Sequence, residues 1–145
     1  ITIPIEELDF PITLNGKVDR VDEYNGTLRI IDYKTGKVEQ SKVEIVNWED
    51  ITSDYTKYSK SFQILMYAYM MNHTRSFEGP VEAGIISFKN LNSGFLKFAK
   101  KDKPGTYAKK DSLITQDTLD AFFIELKNLI LEICNAEISF VEKEV

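Results

Sequence analysis

The dipeptide Asn25-Gly26 constrains the fold of this chain more than any other feature, because it lies between two runs of strand-forming residues. Asn-Gly is one of the strongest short-range signals for a β-hairpin, since both residues tolerate the positive φ angles of a tight turn. The residues before the turn predict a long strand from about 12 to 24, and those after it predict a strand from about 27 to 34. An edge strand is predicted over residues 1 to 8, which contain a proline, and we expect it to complete an antiparallel meander.

One face of the second hairpin strand changes character along its length. Successive side chains point to opposite faces of a sheet, so Leu28, Ile30, Asp32 and Lys34 share a face that is apolar at first and charged at its end. A half-buried charge is costly unless it is paired or bound to a metal, so a purely structural strand has little reason for this pattern. Asp19 on the first strand supplies a second carboxylate, and two carboxylates from neighbouring strands can hold Mg²⁺ or Mn²⁺.

These residue types fit metal-assisted phosphodiester hydrolysis. A divalent ion held by Asp19 and Asp32 would polarise a phosphate and lower the pKa of a water molecule. Lys34, beside the ion, would orient that water and stabilise the negative charge that develops on the phosphate. We expect the two carboxylates to lie within about 6 Å of each other, with the Lys34 ammonium in the same pocket.

The order of these motifs resembles the signature of the PD-(D/E)XK nuclease superfamily, and within it the RecB-type branch, which includes the nuclease domains of AddB-like proteins. Three pieces carry the resemblance, in this order along the chain: Gly16-x-x-Asp19-Arg20-x-Asp22, Asp32-Tyr33-Lys34-Thr35-Gly36, and Gln63-x-x-x-Tyr67. The resemblance covers roughly residues 13 to 71 well and the rest of the chain in outline.

The resemblance implies an α/β fold with a restriction-endonuclease-like mixed sheet flanked by helices. It also implies a Mg²⁺- or Mn²⁺-dependent DNA nuclease. The metal ligands that it implies are Asp19, Asp32 and the carbonyl of Tyr33, with Lys34 as the catalytic lysine. The rival hypothesis is a catalytically silent DNA-binding or scaffolding module with the same fold, although a silent copy would be free to lose this Asp-Asp-Lys set.

Residues 59 to 73 predict a helix that is apolar all round over residues 64 to 71, which indicates burial. Gln63 and Tyr67 are four residues apart and lie on one face of this helix, with Lys60 on the same stripe. Taken alone, the pair is more typical of a buried, hydrogen-bonded glutamine and a core tyrosine. The resemblance implies instead that both residues help to hold the catalytic site or contact the DNA strand.

In RecB-type relatives a helix precedes the first strand and usually contributes a further metal ligand, a His or Glu. This chain begins at that strand, so we expect the N-terminal core helix to be missing. Only Glu6 or Glu7 could replace the metal ligand that this helix contributes. Residues 1 to 145 would then be a single nuclease domain, a fragment of a larger helicase-nuclease chain or complex in double-strand-break repair and recombination. Alone, the fragment would be weakly active or inactive as a nuclease. The apolar sheet surface that the missing helix would have covered could be buried against a second copy in a homodimer.

Three further elements, two strands and a helix, are predicted after this helix. Residues 81 to 88 form a largely apolar, central strand, joined to the hairpin by a strand-helix-strand crossover that makes the two strands parallel. A shorter strand is predicted over residues 95 to 98. Thr115 is the predicted N-cap of a final helix with one apolar stripe, and Phe140 beyond it could still dock on the domain.

Nucleic-acid contacts are predicted from basic and polar residues near the motifs and from a later basic segment. Residues 97 to 110 contain six lysines and a Pro-Gly turn, which is typical of a solvated loop or of a flexible phosphate clamp. The residues predicted to contact DNA are Arg20, Thr35, Lys60, Lys97, Lys100 and Lys101.

Composition excludes several other classes of protein. A net charge of −5 argues against a protein that simply coats nucleic acid. Cys134 is the only cysteine, so an intrachain disulfide or a Cys-ligated cluster is excluded. Trp48 is predicted to pack the segment after the hairpin onto the domain, and the alternative is a platform on which a nucleic-acid base stacks. His73 is predicted to stabilise the C-terminal end of a helix. No run approaches the ~20 apolar residues of a membrane span, and we expect a cytoplasmic protein without a membrane partner.

Overall fold

The computed structural model describes residues 1–142 and has a mixed α/β architecture, which confirms the predicted fold class. The strands are β1 (Thr2–Ile3), β2 (Ile12–Thr13), β3 (Arg20–Tyr24), β4 (Thr27–Lys34), β5 (Glu44–Ile45), β6 (Val81–Ser87), β7 (Phe95–Lys97), β8 (Ala99–Lys101) and β9 (Lys110–Asp111). The helices are α1 (Tyr55–Thr74) and α2 (Gln116–Ile133), and shorter 3₁₀ turns span Gln40–Val43, Trp48–Thr52 and Leu91–Ser93.

A four-stranded sheet in the order β3-β4-β6-β7 forms the centre of the molecule. The predicted hairpin is present: β3 and β4 are antiparallel, Tyr24 lies opposite Thr27, and Asn25 and Gly26 have φ angles of 50° and 78°. Positive φ at both turn positions matches the twist of the strands that the turn joins. β4 and β6 are parallel, as the strand-helix-strand connection predicts, and β7 is antiparallel to β6.

The three-strand meander is wrong. β1 pairs only with β2, in a separate two-stranded sheet, and the predicted long strand is interrupted between residues 13 and 20. Gly16 lies in this interruption and approaches α1 so closely that an added Cβ would be 2.4 Å from Cε of Met70. A glycine in a strand pattern often marks such a close approach. Here the chain leaves the sheet where Gly16 meets the Met70 side chain of α1.

α1 covers one face of the sheet and belongs to the core, as its apolar sequence predicts. Ile64, Leu65 and Ala68 of the helix are fully buried, and they pack in one cluster with Ile30 and Ile85 of the sheet. The helix begins four residues earlier than predicted, because the Asp54 carboxylate accepts a hydrogen bond from the Lys57 amide at 3.0 Å and caps it.

α2 packs on α1 through aromatic contacts, such as the edge-to-face pair of Phe62 and Phe122 with ring centroids 5.4 Å apart. The side chain of Thr115 accepts a bond from the amide of Thr118, which confirms the predicted N-cap. Phe140 is 86% exposed, so its predicted docking is wrong. None of the helices in residues 1–142 is long and apolar enough to cross a lipid bilayer.

The segments between these elements form a third sheet, in the order β5-β8-β9, which is smaller than the central sheet. Trp48 is partly buried against the core, with its ring centroid 6.2 Å from that of Phe98, which agrees with the predicted packing role. Four lysines of the lysine-rich segment lie in β7, β8 and β9, whereas residues 102 to 109 form the loop between β8 and β9. His73 lies in the last turn of α1, as predicted.

Gly84 on β6 marks the closest approach within the central sheet. An added Cβ would lie 2.3 Å from the carbonyl oxygen of Leu96 and 2.7 Å from Cα of Lys97, both backbone atoms of β7. Backbone cannot move aside as the end of a side chain can, so any larger residue would force the two strands apart.

We therefore expect Gly84→Ala to lower the free energy of unfolding by about 1–3 kcal/mol or more, the usual cost of overpacking. Gly79→Ala is the matched control, because an added Cβ there has no atom within 4 Å. Urea unfolding of both variants checks this prediction, and equal stabilities would show that β7 does not press on β6.

Candidate active site at the end of β4

Asp32 and Lys34 lie at the carboxyl end of β4 on the face that α1 covers. The register places Asp32 opposite Ile85 and Lys34 opposite Ser87, both buried residues of β6. Asp32 is only 4% exposed. The Lys34 ammonium lies 2.8 Å from Oδ2 of Asp32 and retains 28% side-chain exposure. The predicted alternation along β4 therefore brings both charges to one pocket, with Lys34 at its open side.

Gln63 on α1 connects these two charges and adds Tyr67 to the same group. Its Oε1 accepts a hydrogen bond from the Lys34 ammonium at 2.7 Å, and its Nε2 donates to Oδ1 of Asp32 at 3.3 Å and to the Tyr67 hydroxyl at 2.8 Å. Because the oxygen meets a cation and the nitrogen an anion, only one orientation of the amide satisfies both. Four predicted site residues thus form one continuous polar network.

Asp19 lies one residue before β3, at the same end of β4. The β3–β4 register pairs Arg20 with Ile31, and one further step along it would set Asp19 opposite Asp32. Oδ2 of Asp19 accepts a hydrogen bond from the Tyr33 amide at 2.9 Å. Asp19 itself is exposed.

The backbone of Tyr33 faces the Asp19 side of the strand. The Phe88 amide donates to the Lys34 carbonyl at 2.9 Å, so Lys34 turns its peptide groups toward β6. Alternate residues of a strand turn their backbone groups to opposite neighbours. The carbonyl of Tyr33 is therefore on the β3 side, near Asp19.

The oxygen atoms at this strand end fit a hard divalent cation. Oδ2 of Asp32 is buried and accepts no hydrogen bond of acceptable geometry, although it forms an ion pair with the Lys34 ammonium at 2.8 Å. The donor set of Asp32, Asp19 and the Tyr33 carbonyl is all oxygen, which is what Mg²⁺ and Mn²⁺ prefer. Within residues 1–142 no group of three or more His, Cys, Asp or Glu side chains converges. Glu7, which the sequence offers as a further metal ligand, forms an ion pair with Lys127 of α2 at 2.7 Å.

Two polar residues that the sequence reading missed hold the loop after β4. Ser87 is 1% exposed and its hydroxyl donates to the carbonyl of Gly36 at 2.7 Å. Asn90 bonds both backbone groups of Val38, with its Nδ2 2.8 Å from the carbonyl oxygen and its Oδ1 3.3 Å from the amide. The only signal of this role in the sequence is a serine, Ser87, at the end of an apolar strand. The sequence does not indicate that its hydrogen-bond partner is Gly36.

The predicted DNA-contacting residues are not all close to this network. Lys60 is half-buried on the stripe of α1 that carries Gln63 and Tyr67, and Thr35 is exposed directly after Lys34. Arg20 donates to Asp22 at 2.9 Å. The Tyr33 hydroxyl and the Asp22 carboxylate beside Arg20 raise the pKa of its guanidinium above the ordinary value.

The three lysines predicted from the later basic segment, Lys97, Lys100 and Lys101, have local partners. Lys97 pairs with Glu82 at 2.8 Å, and its partner in the β-ladder is Gly84, so it points to the face opposite Asp32. Lys101 pairs with Glu44 at 3.3 Å, and Lys100 donates to the carbonyl of Lys101 at 3.0 Å. Lys100 and Lys101 lie in the smaller sheet, so the structure does not bring these lysines to the network around Asp32.

The sequence model of the PD-(D/E)XK nuclease superfamily matches residues 1–144, so the chain belongs to this superfamily. The match confirms the resemblance at the superfamily level, which suggests a nuclease that acts on DNA with divalent ions such as Mg²⁺. Searches of curated proteins and of solved structures returned no significant match.

We expect Mn²⁺ to raise the melting temperature of the protein, because an ion that binds only the folded state stabilises it by mass action. At a concentration of ~100 Kd the gain is about 2.7 kcal/mol, which is several degrees for a domain of this size. Asp32→Asn should abolish the rise, whereas Asp9→Asn, which alters an exposed acid, should keep it. A thermal titration of the three proteins checks this, and an equal rise in Asp32→Asn would assign the ion to another site.

Proposed function

We propose that this protein is a Mg²⁺- or Mn²⁺-dependent DNA nuclease of the RecB type, with its active site at the carboxyl end of β4. The observation that carries the proposal is the buried Asp32 carboxylate, which is bridged to Lys34 by Gln63 and carries one oxygen without a directed hydrogen bond. A buried carboxylate is costly unless it is paired or bound to a metal, and here the paired lysine remains partly open to solvent, where substrate could reach it.

Asp32, Asp19 and the carbonyl of Tyr33 are the proposed ligands of the ion. When bound, the ion would polarise the scissile phosphate and lower the pKa of a water molecule. Lys34 holds the reacting groups from the open side of the pocket. Its ammonium has three N–H bonds, of which one is directed at Gln63, so it can also donate to a water or to a phosphate oxygen. That donation stabilises the charge that develops on the phosphate.

Gln63 and Tyr67 act as positioning residues in this proposal. The Gln63 amide fixes the distance between the Lys34 ammonium and the Asp32 carboxylate, and the Tyr67 hydroxyl fixes the amide in turn. Such support matters because a misplacement of ~1 Å can lower a rate by about 100-fold. Both residues come from α1, a buried helix, which is a more rigid base than a loop.

The proposed context is a helicase-nuclease that processes DNA ends in double-strand-break repair and recombination. The support is the RecB-type order of motifs, from Asp19-Arg20 through Asp32-Tyr33-Lys34 to Gln63 and Tyr67. A larger helicase chain or complex would be the partner of this domain.

The test is cleavage of linear DNA with Mn²⁺ by the wild type and by Lys34→Ala. We expect the variant to lose activity by about 100-fold or more, the scale of removing one transition-state donor, while DNA binding measured in EDTA stays largely intact. Lys127→Ala is the control, because it removes a surface ion pair on α2 and should leave cleavage unchanged. Wild-type protein that binds DNA but shows no rise in melting temperature with Mn²⁺ would favour the silent module, and cleavage that Lys34→Ala leaves unchanged would contradict the role of Lys34.

The lysine-rich segment is a separate test of DNA contact. If Lys97, Lys100 and Lys109 contact phosphates, changing all three to Ala should reduce the slope of log affinity against log salt by about two to three units. These three are chosen because Lys101 and Lys110 hold Glu44 in the smaller sheet. Titrations at several salt concentrations measure the slope, and an unchanged slope would leave the segment with a structural role only.

A further inference from the structure

An exposed aromatic stack lies beside the candidate active site. The rings of Tyr33 and Phe88 are stacked with centroids 5.3 Å apart and planes at 23°, and Phe88 is 53% exposed. Tyr33 separates Asp32 from Lys34 in the sequence, so its side chain points to the opposite face of the sheet from theirs. The stack and the active site therefore share one end of the sheet and are separated only by the strand ends.

Burial does not explain this stack. The rings of Tyr69 and Phe123 are also stacked, at 5.4 Å and 5°, but both pack against the hydrophobic core between α1 and α2. Tyr33 and Phe88 are outside that core cluster. A solvent-facing phenylalanine ring that contributes nothing to the core leaves one aromatic face available to a ligand.

The loops next to the stack are joined to each other, and they expose two lysines together with Glu39. Ser87 and Asn90 fix the loop after β4 to the loop after β6 through bonds to backbone groups of Gly36 and Val38. These two loops expose Lys37 and Lys89.

The two lysines are electrostatically available. Within residues 1–142, neither Lys37 nor Lys89 has an ion-pair partner. Arg20 also lies beside the Tyr33 hydroxyl, with its charge paired to the Asp22 carboxylate. Cationic groups around an exposed aromatic face are the combination that single-strand-binding surfaces use, with stacking for the bases and charge for the phosphates.

We propose that Tyr33, Phe88, Lys37 and Lys89, here called the strand-end platform, bind single-stranded DNA by stacking a base on the free face of Phe88. The proposal rests on the proposed function and narrows its substrate: the strand that reaches the active site is unpaired at the platform. Bases inside a duplex stack on each other on both faces, so the platform cannot hold the interior of an intact duplex in this way. Stacking accepts every base, so we expect little sequence preference.

The test is binding of fluorescein-labelled oligothymidine, followed by anisotropy in EDTA so that cleavage plays no part. Phe88→Ala should weaken binding by about 5- to 100-fold, the range of alanine substitutions at stacked bases. Phe88→Trp should preserve it. Phe10→Ala is the matched control, because Phe10 is also a phenylalanine and is 52% exposed, but lies in the β1–β2 connection.

A second arm needs no variant of the protein. Wild type should bind an abasic oligonucleotide of the same length more weakly than oligothymidine, since the phosphates remain but no base can stack. Equal affinity for the two, or no difference between Phe88→Ala and Phe10→Ala, would overturn the platform. Equal weakening of a closed circular duplex by Phe88→Ala would also overturn it, because a duplex without ends offers no free base face for stacking.

Failure of the platform is distinguishable from failure of the nuclease assignment. Loss of the oligothymidine preference with intact Mn²⁺-dependent cleavage would remove only the platform. A melting temperature that Mn²⁺ does not raise, with the preference intact, would remove only the metal-dependent role of the neighbouring site.

Discussion

The structure around the site depends on the burial of one carboxylate. Asp32 is 4% exposed, and a carboxylate in that position is tolerated only with compensating charge and hydrogen bonds. Lys34 supplies the charge at 2.8 Å and Gln63 supplies the hydrogen bond. The two come from different elements, so the register of β4 and the placement of α1 must both be correct for the charge to be stable.

The elements around the site are closely joined to one another. β4 is a central strand, paired with β3 on one side and with β6 on the other. β6 is in turn pressed closely by β7 at Gly84, and the loops beyond β4 and β6 are joined by Ser87 and Asn90. A pocket that must hold two opposite charges and an ion benefits from such support, because small shifts would change each electrostatic interaction.

Local patterns in the sequence predict the elements whose cause is also local. Asn25-Gly26 predicts the hairpin because positive φ angles are a property of those two residues. Alternation along β4 predicts that Asp32 and Lys34 share a face, and helical spacing predicts that Gln63 and Tyr67 share a stripe of α1. The antiparallel meander fails for the opposite reason. Its strands satisfy local propensity, but the chain leaves the sheet at Gly16 to contact α1, which is a long-range event.

By itself, therefore, the sequence determined the hairpin, the buried helix and the identity of the groups that could perform metal-assisted chemistry. Only the tertiary structure decided that Gln63 joins Lys34 to Asp32, since these contacts connect residues 29 and 31 positions apart. It also decided that Lys97 pairs with Glu82 on the opposite face of the sheet, and that Tyr33 meets Phe88 at the strand ends. Periodicity states which side chains share a face, whereas packing between distant elements decides which of those faces meet.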